Sequence, residues 1–191
     1  MLRIPEQRAT HPLDWDIALD LMERIKDPME SLQIHIGCYT ALRVGDILSL
    51  KWEDIYDVDK INLIEHKTKN LRRMDVHHKL KEVIEWAYIS CNRPHFDLHV
   101  FRSIKKRDQP ITVKAYNDRL KKIFAKYRIE HPSNASHTLR KTWSQRVWEF
   151  HGKTDEALIL VSDMLGHANI STTRRYIGIQ GKIVKHTYLS I

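Results

Sequence analysis

Apolar side chains recur at three- and four-residue steps near the start of the chain. Trp15, Ala18, Leu19, Met22 and Ile25 follow Asp14 and stop before Pro28, the spacing that lines one face of a helix. The same period returns with Leu32, Ile36 and Tyr39 in a helix from about Met29 to Thr40, and with Ile47, Leu48 and Leu50 in a third from about Val44. Then the period changes. Trp52 to Val58, Lys60 to His66 and Arg72 to His77 are short, rich in β-branched or alternating residues, and separated by the turn-prone Asp57, Asp59 and Asn70. That pattern predicts three antiparallel strands. Helical spacing resumes over Lys79 to Ile89, about Thr112 to Tyr127, Thr138 to Phe150 and Asp155 to Leu165, the last followed by Gly166, the residue type that ends helices. The chain reads as mainly α with a small antiparallel three-stranded β-sheet, an α+β arrangement.

Composition narrows the classes. With 191 residues, 42% apolar, and only six Gly and six Pro, the sequence can bury one sizeable core and has no long linker. No run approaches the ~18 apolar residues of a membrane span, and Met1-Leu2-Arg3-Ile4-Pro5-Glu6 has no apolar leader pattern. Cys38 and Cys91 each sit in an apolar helical pattern, which argues against a disulfide framework and for a reducing cytoplasm. Lys and Arg number 32 against 24 Asp and Glu, a net charge of +8. Such a surplus favours a polyanion such as nucleic acid, although composition alone fits simple solubility charge equally well.

One segment carries more chemistry than any other. Tyr176 stands nine residues after His167 in Leu165-Gly166-His167-Ala168-Asn169-Ile170-Ser171-Thr172-Thr173-Arg174-Arg175-Tyr176. A phenol, an imidazole and two arginines are poor core material but suit the attack of a nucleophile on a phosphate. Taken singly, a tyrosine more often packs its ring and wets its hydroxyl, and a histidine after a helix often just complements the dipole. Upstream lie His137-Thr138-Leu139-Arg140, whose outer residues share a helix face, and Thr40-Ala41-Leu42-Arg43-Val44-Gly45-Asp46. Arginine's fork can grip two phosphate oxygens where lysine cannot. A metal site is a poor fit, because His131 and His137 are six apart and His77 and His78 adjacent, neither a usual zinc spacing.

Together the three boxes resemble the catalytic domain of the tyrosine recombinases, the phage-integrase family. The resemblance implies a site-specific recombinase that cleaves and rejoins double-stranded DNA through a 3′ phosphotyrosine intermediate, without metal or cofactor. It implies Tyr176 as nucleophile, Arg43, His137, Arg140 and His167 around the scissile phosphate, and a hairpin lysine as the acid for the leaving oxygen. Lys67, 24 residues after Arg43, is the choice for that acid and Lys69 the alternative. Ala41 stands where the family's box usually has Gly. Lys105, Lys106, Arg107, Lys121, Lys122, Lys126, Arg174 and Arg175 are basic positions that suit DNA backbone or an ordinary solvated face. The resemblance further implies a homotetramer on DNA, a cytoplasmic, nucleoid-associated protein, and residues 1–191 as one catalytic domain lacking the N-terminal core-binding domain, with residues 177–191 a tail that docks in trans. The competing expectations are a DNA-bound regulator or accessory factor with the same fold, and a type IB topoisomerase-like enzyme.

Overall fold

A computed structural model describes residues 10–178 apart from 107, 134 and 168. The elements in chain order are α1 (Trp15–Arg24), α2 (Pro28–Thr40), α3 (Val44–Ser49), α4 (Trp52–Ile55), β1 (Lys60–Ile64), β2 (Leu71–Asp75), α5 (His78–Ser90), α6 (Val113–Lys126), α7 (Ser136–Phe150), α8 (Asp155–Leu165) and α9 (Ile170–Tyr176). The mainly helical reading with a small antiparallel sheet holds. The sheet has two strands, though, and the expected first strand over Trp52 to Val58 is wrong.

That segment opens with a helical turn instead. Asp54 Oδ2 accepts from the Lys51 N–H at 2.8 Å, and two acidic residues stand in the first turn, where the positive end of a helix favours them. Trp52 and Ile55, both 1% exposed, then face one core from a single turn. Alternating strand geometry would have sent them to opposite faces.

Helix α2 is the hub of the fold. Asp27 caps it by accepting from the Glu30 N–H at 2.8 Å, and Pro28 occupies its first turn. Every residue from Ser31 to Cys38 is buried, because the helix is packed on all sides rather than on one stripe. One apolar cluster joins Leu32 and Ile36 of α2 to Ile47, Trp52, Ile61, Leu80, Ile84 and Phe101. The other joins Ile34 and Cys38 to Leu21, Leu120, Phe124 and Leu139. The α2–α7 approach is close enough that a Cβ on Gly37 would lie 2.6 Å from Leu139 Cδ1.

Two left-handed residues set the chain directions at the site. Ala41, with φ 51°, ends α2, which accounts for glycine's usual place there. Gly166, with φ 65°, ends α8, and the His167 N–H donates back to the Ser162 carbonyl at 3.0 Å.

Candidate active site

Arg43 precedes α3 and Arg140 lies on α7, yet their guanidinium groups meet at the C-terminal end of α8. Nη2 of Arg43 and Nη2 of Arg140 donate to the Leu165 carbonyl at 3.3 and 3.1 Å. The last carbonyls of a helix lack an intrahelical donor and carry the negative end of its dipole, so Leu165 anchors both cations. Arg140 also donates through Nη1 to the Ala41 carbonyl. Burial pulls its pKa down to about 10, which leaves it charged at neutral pH.

Tyr176, at the end of α9, turns its hydroxyl inward to these cations. The oxygen is buried and without a hydrogen-bonding partner. Burial raises the phenol to about 12, while the nearby Arg140, and then the charge of Arg43, oppose the rise. The rings of His167 and His137 stand edge-on to the phenol, with centroids 5.4 and 6.4 Å away. His167 is oriented by the buried Thr173, whose Oγ1 lies 2.9 Å from Nδ1. Desolvation, then the surrounding cations Arg140, Arg43 and Lys67, hold both imidazoles below the ordinary histidine value, with Lys141 adding to the effect at His137. Both are therefore neutral at neutral pH and able to accept a proton.

The β1–β2 turn brings the lysines. Lys67 is exposed there, and its charge reaches both His137 and His167. Lys69 adopts φ 60°, and its N–H returns to the Glu65 carbonyl at 2.9 Å. Of the six residues singled out in the sequence, five converge in one cluster, and Lys67 stands exposed beside it.

Two residues of the site, Glu65 and Arg72, escaped the sequence reading as members of it. Glu65, 4% exposed, places Oε1 at 2.7 Å from Arg43 Nη1 and 3.3 Å from Arg72 Nη1. Its other oxygen accepts from the Thr68 hydroxyl at 2.5 Å. Burial alone would raise this carboxyl, but Thr68, Arg43 and Arg72 outweigh it and hold the pKa below its ordinary value. Arg72 in turn donates to the Thr40 carbonyl at 2.9 Å, tying the hairpin to the end of α2. Asp46 Oδ1 accepts from the His66 N–H at 2.8 Å and fixes the same turn from α3. Nothing in the sequence separated Glu65 and Arg72 from the ordinary charges of a hairpin.

The outlying basic positions are spread over the surface. Lys121 lies 3.6 Å from Asp118, Lys126 pairs with Glu30 at 2.8 Å, and Arg174 with Asp155 at 2.7 Å. Lys105, Lys106, Lys122 and Arg175 are exposed. Arg107, and all of the expected tail beyond Gly178, lie outside the described residues. Among those residues no group of three His, Cys, Asp or Glu side chains is placed to hold a metal ion, and no helix is long and apolar enough to cross a membrane.

A helical domain that gathers two arginines, two histidines and a tyrosine around one pocket beside a lysine-bearing hairpin is of the tyrosine recombinase catalytic class. Residues 16–182 match the phage integrase family. The chain is 30% identical over 152 residues to a probable integrase/recombinase, YoeC, of Bacillus subtilis, covering 80% of this chain and 78% of that one. It is 25% identical over 145 residues to the tyrosine recombinase XerH of Campylobacter jejuni, covering 76% of this chain and 40% of that protein. The crystal structure of XerA recombinase shares the fold with a TM-score of 0.74 at 20% identity, over 94% of this chain and 64% of that one. XerH bound to palindromic difH substrate, in a post-cleavage complex, superimposes with a TM-score of 0.70 at 18% identity, over 98% and 55%. The chain thus spans under two thirds of these Xer recombinases. It belongs to the phage integrase family.

Proposed function

We propose that this chain is a site-specific recombinase that cleaves and rejoins double-stranded DNA through Tyr176. One observation carries the reading: the Tyr176 hydroxyl is buried without a partner, facing Arg43 and Arg140, beside two imidazoles kept neutral. A buried orphan hydroxyl costs roughly 1–3 kcal/mol, and a packing tyrosine would place its oxygen in water.

The phenolic oxygen attacks phosphorus and the P–O5′ bond breaks. The phenol's proton passes to a neutral imidazole, His137 or His167, and Lys67 gives a proton to the departing 5′ oxygen, with Lys69 the alternative acid. Arg43 and Arg140 neutralise the charge gathering on the nonbridging oxygens. Because the phosphotyrosine ester keeps the energy of the broken bond, the 5′ hydroxyl of a second DNA end reverses the step. The DNA-bound solved relatives, such as a lambda integrase dimer bound to a COC′ core site, support double-stranded DNA as the partner. Assembly as a homotetramer on DNA, and residence with the nucleoid in the cytoplasm, belong to this reading.

The test is trapping. A pool of duplex oligonucleotides with a randomised core, each nicked so that the short fragment diffuses away on cleavage, should yield a covalent protein–DNA adduct that resists boiling in detergent. Tyr176→Phe should yield none. An adduct that survives that substitution, or wild-type protein that captures no DNA, overturns the assignment.

A further inference from the structure

Lys141 is next to Arg140 in the chain but absent from the chemistry above. Its ammonium lies 5.0 Å from the centroid of the Tyr176 ring, within the range of a cation–π contact. A half-buried lysine needs a reason to remain there, and the structure supplies one: Nζ donates to the Thr10 carbonyl at 2.6 Å. Thr10 is itself held. The stretch Thr10–Leu13 is strapped across α7 and the loop before it, with the His11 N–H donating to Ser133 Oγ at 2.9 Å and the Leu13 N–H to Thr142 Oγ1 at 2.9 Å. His131 Nε2 meets the Pro12 carbonyl at 3.1 Å. The strap therefore fixes the helix that carries His137 and Arg140, and through Lys141 it reaches the nucleophile.

We propose that Lys141 is a positioning residue for Tyr176, which makes the placement of the nucleophile depend on the N-terminal strap at Thr10–Leu13. The proposal rests on Tyr176 being the nucleophile. A cation over the ring face attracts its π-density and so favours the docked ring over one swung out of the pocket. The cation also stabilises a ring gaining negative charge as the proton leaves, which makes the contact stronger in the transition state than in the resting enzyme. A displacement of the strap, whatever pulls on it, moves the Thr10 carbonyl and weakens that hold.

The experiment uses the same nicked duplex pool, after selection of sequences that wild-type protein captures, with DNA at saturating concentration. Lys141→Met keeps length and apolar bulk but removes the cation, and is expected to slow adduct formation by about fivefold to about tenfold, while Lys141→Arg stays within about twofold of wild type. Ser133→Ala loosens the strap and should slow the reaction in the parent, yet slow it less in the Lys141→Met background, where only the hold on α7 remains to be lost. Equal rates for Lys141→Met and wild type overturn the proposal. So does a salt-sensitive loss of DNA affinity with an unchanged rate at saturation, which would make Lys141 an ordinary phosphate contact. Full additivity of Ser133→Ala with Lys141→Met overturns the link to the strap. Failure of the nucleophile assignment itself looks different, since wild-type protein would then form no Tyr176-dependent adduct at all.

Discussion

Glu65 compensates two guanidinium groups in a buried setting, so replacing it with glutamine leaves Arg43 and Arg72 facing each other without the carboxylate that bridges them. Breaking a buried pair in this way costs about 3 kcal/mol. Glu65→Gln is therefore expected to lower the melting temperature clearly, and to slow adduct formation even at saturating DNA because Arg43 loses its anchor. The sign of the pH dependence follows from the lowered carboxyl pKa. Glu65 stabilises the fold above the ordinary glutamate value of 4.5, and that contribution fades as pH falls through and below it. The gap between wild type and Glu65→Gln should accordingly shrink on acidification; a gap that widens would refute the pairing. His137 and His167 give the rate its own profile. Their pKa values lie below 6.5, so adduct formation should hold steady down to that pH and decline only at lower pH, as protonated imidazoles stop accepting the phenolic proton. Most of this cluster was readable from the chain, because Arg43, His137, Arg140, His167 and Tyr176 lie in three boxes whose resemblance to one family singled them out together. Glu65, Arg72 and Lys141 were not readable, since a charge in a hairpin or on a helix shows its role only when the fold supplies its partner.

Helix α2 meets its neighbours at two places where a small change has a large effect. On the α7 side, the Gly37–Leu139 approach has no room for a methyl. Gly37→Ala must push α7 away, or force Leu139 off its rotamer, at about 1–3 kcal/mol. The same shift displaces Arg140, so activity should drop further than stability alone explains. An unchanged melting temperature would contradict the packing. On the α5 side, His35, Tyr39, His77 and His78 form a run of adjacent rings, with centroids 5.9, 4.6 and 4.2 Å apart in succession. Burial lowers the pKa of His35 and of His77; Lys79 adds to both, His78 to the second, and Glu82 opposes it. Depressed values in the folded state mean that stability is fully present above the ordinary histidine value and is lost as pH falls below it. Denaturation followed at pH 8 and pH 5 should show that loss, reduced in His35→Gln. Element by element, the amphipathic helices α1 and α6 were legible as one-faced stripes, and α8 as an apolar helix. The turn at α4 was not, since four residues cannot display a 3.6-residue period and the aromatic Trp52 and Tyr56 read as strand formers.

Across the whole molecule the net charge of +8 is a poor guide to where a polyanion would lie, because many surface cations already have acidic neighbours. Lys60 pairs with Asp75, Lys81 with Asp59, Lys114 with Asp118 and Lys126 with Glu30. Exposed pairs of this kind add little to stability, but each leaves its cation partly neutralised locally. Cations outnumber carboxylates around the site, where Lys67, Lys141, Arg43 and Arg140 all act on His137 and Glu65 compensates Arg43 and Arg72. Composition could suggest a polyanion partner, whereas only the fold shows which cations gather around His137. A duplex bound there releases counterions roughly in proportion to the phosphates it contacts, so affinity for a random duplex should fall steeply with salt. Lys67→Gln is expected to reduce the log–log slope by about one, while Lys126→Gln, at a position already paired to Glu30, should leave it nearly unchanged. Equal effects of the two substitutions would mean that the duplex is held by diffuse charge, and the pocket would lose its place as the centre of the DNA-binding face.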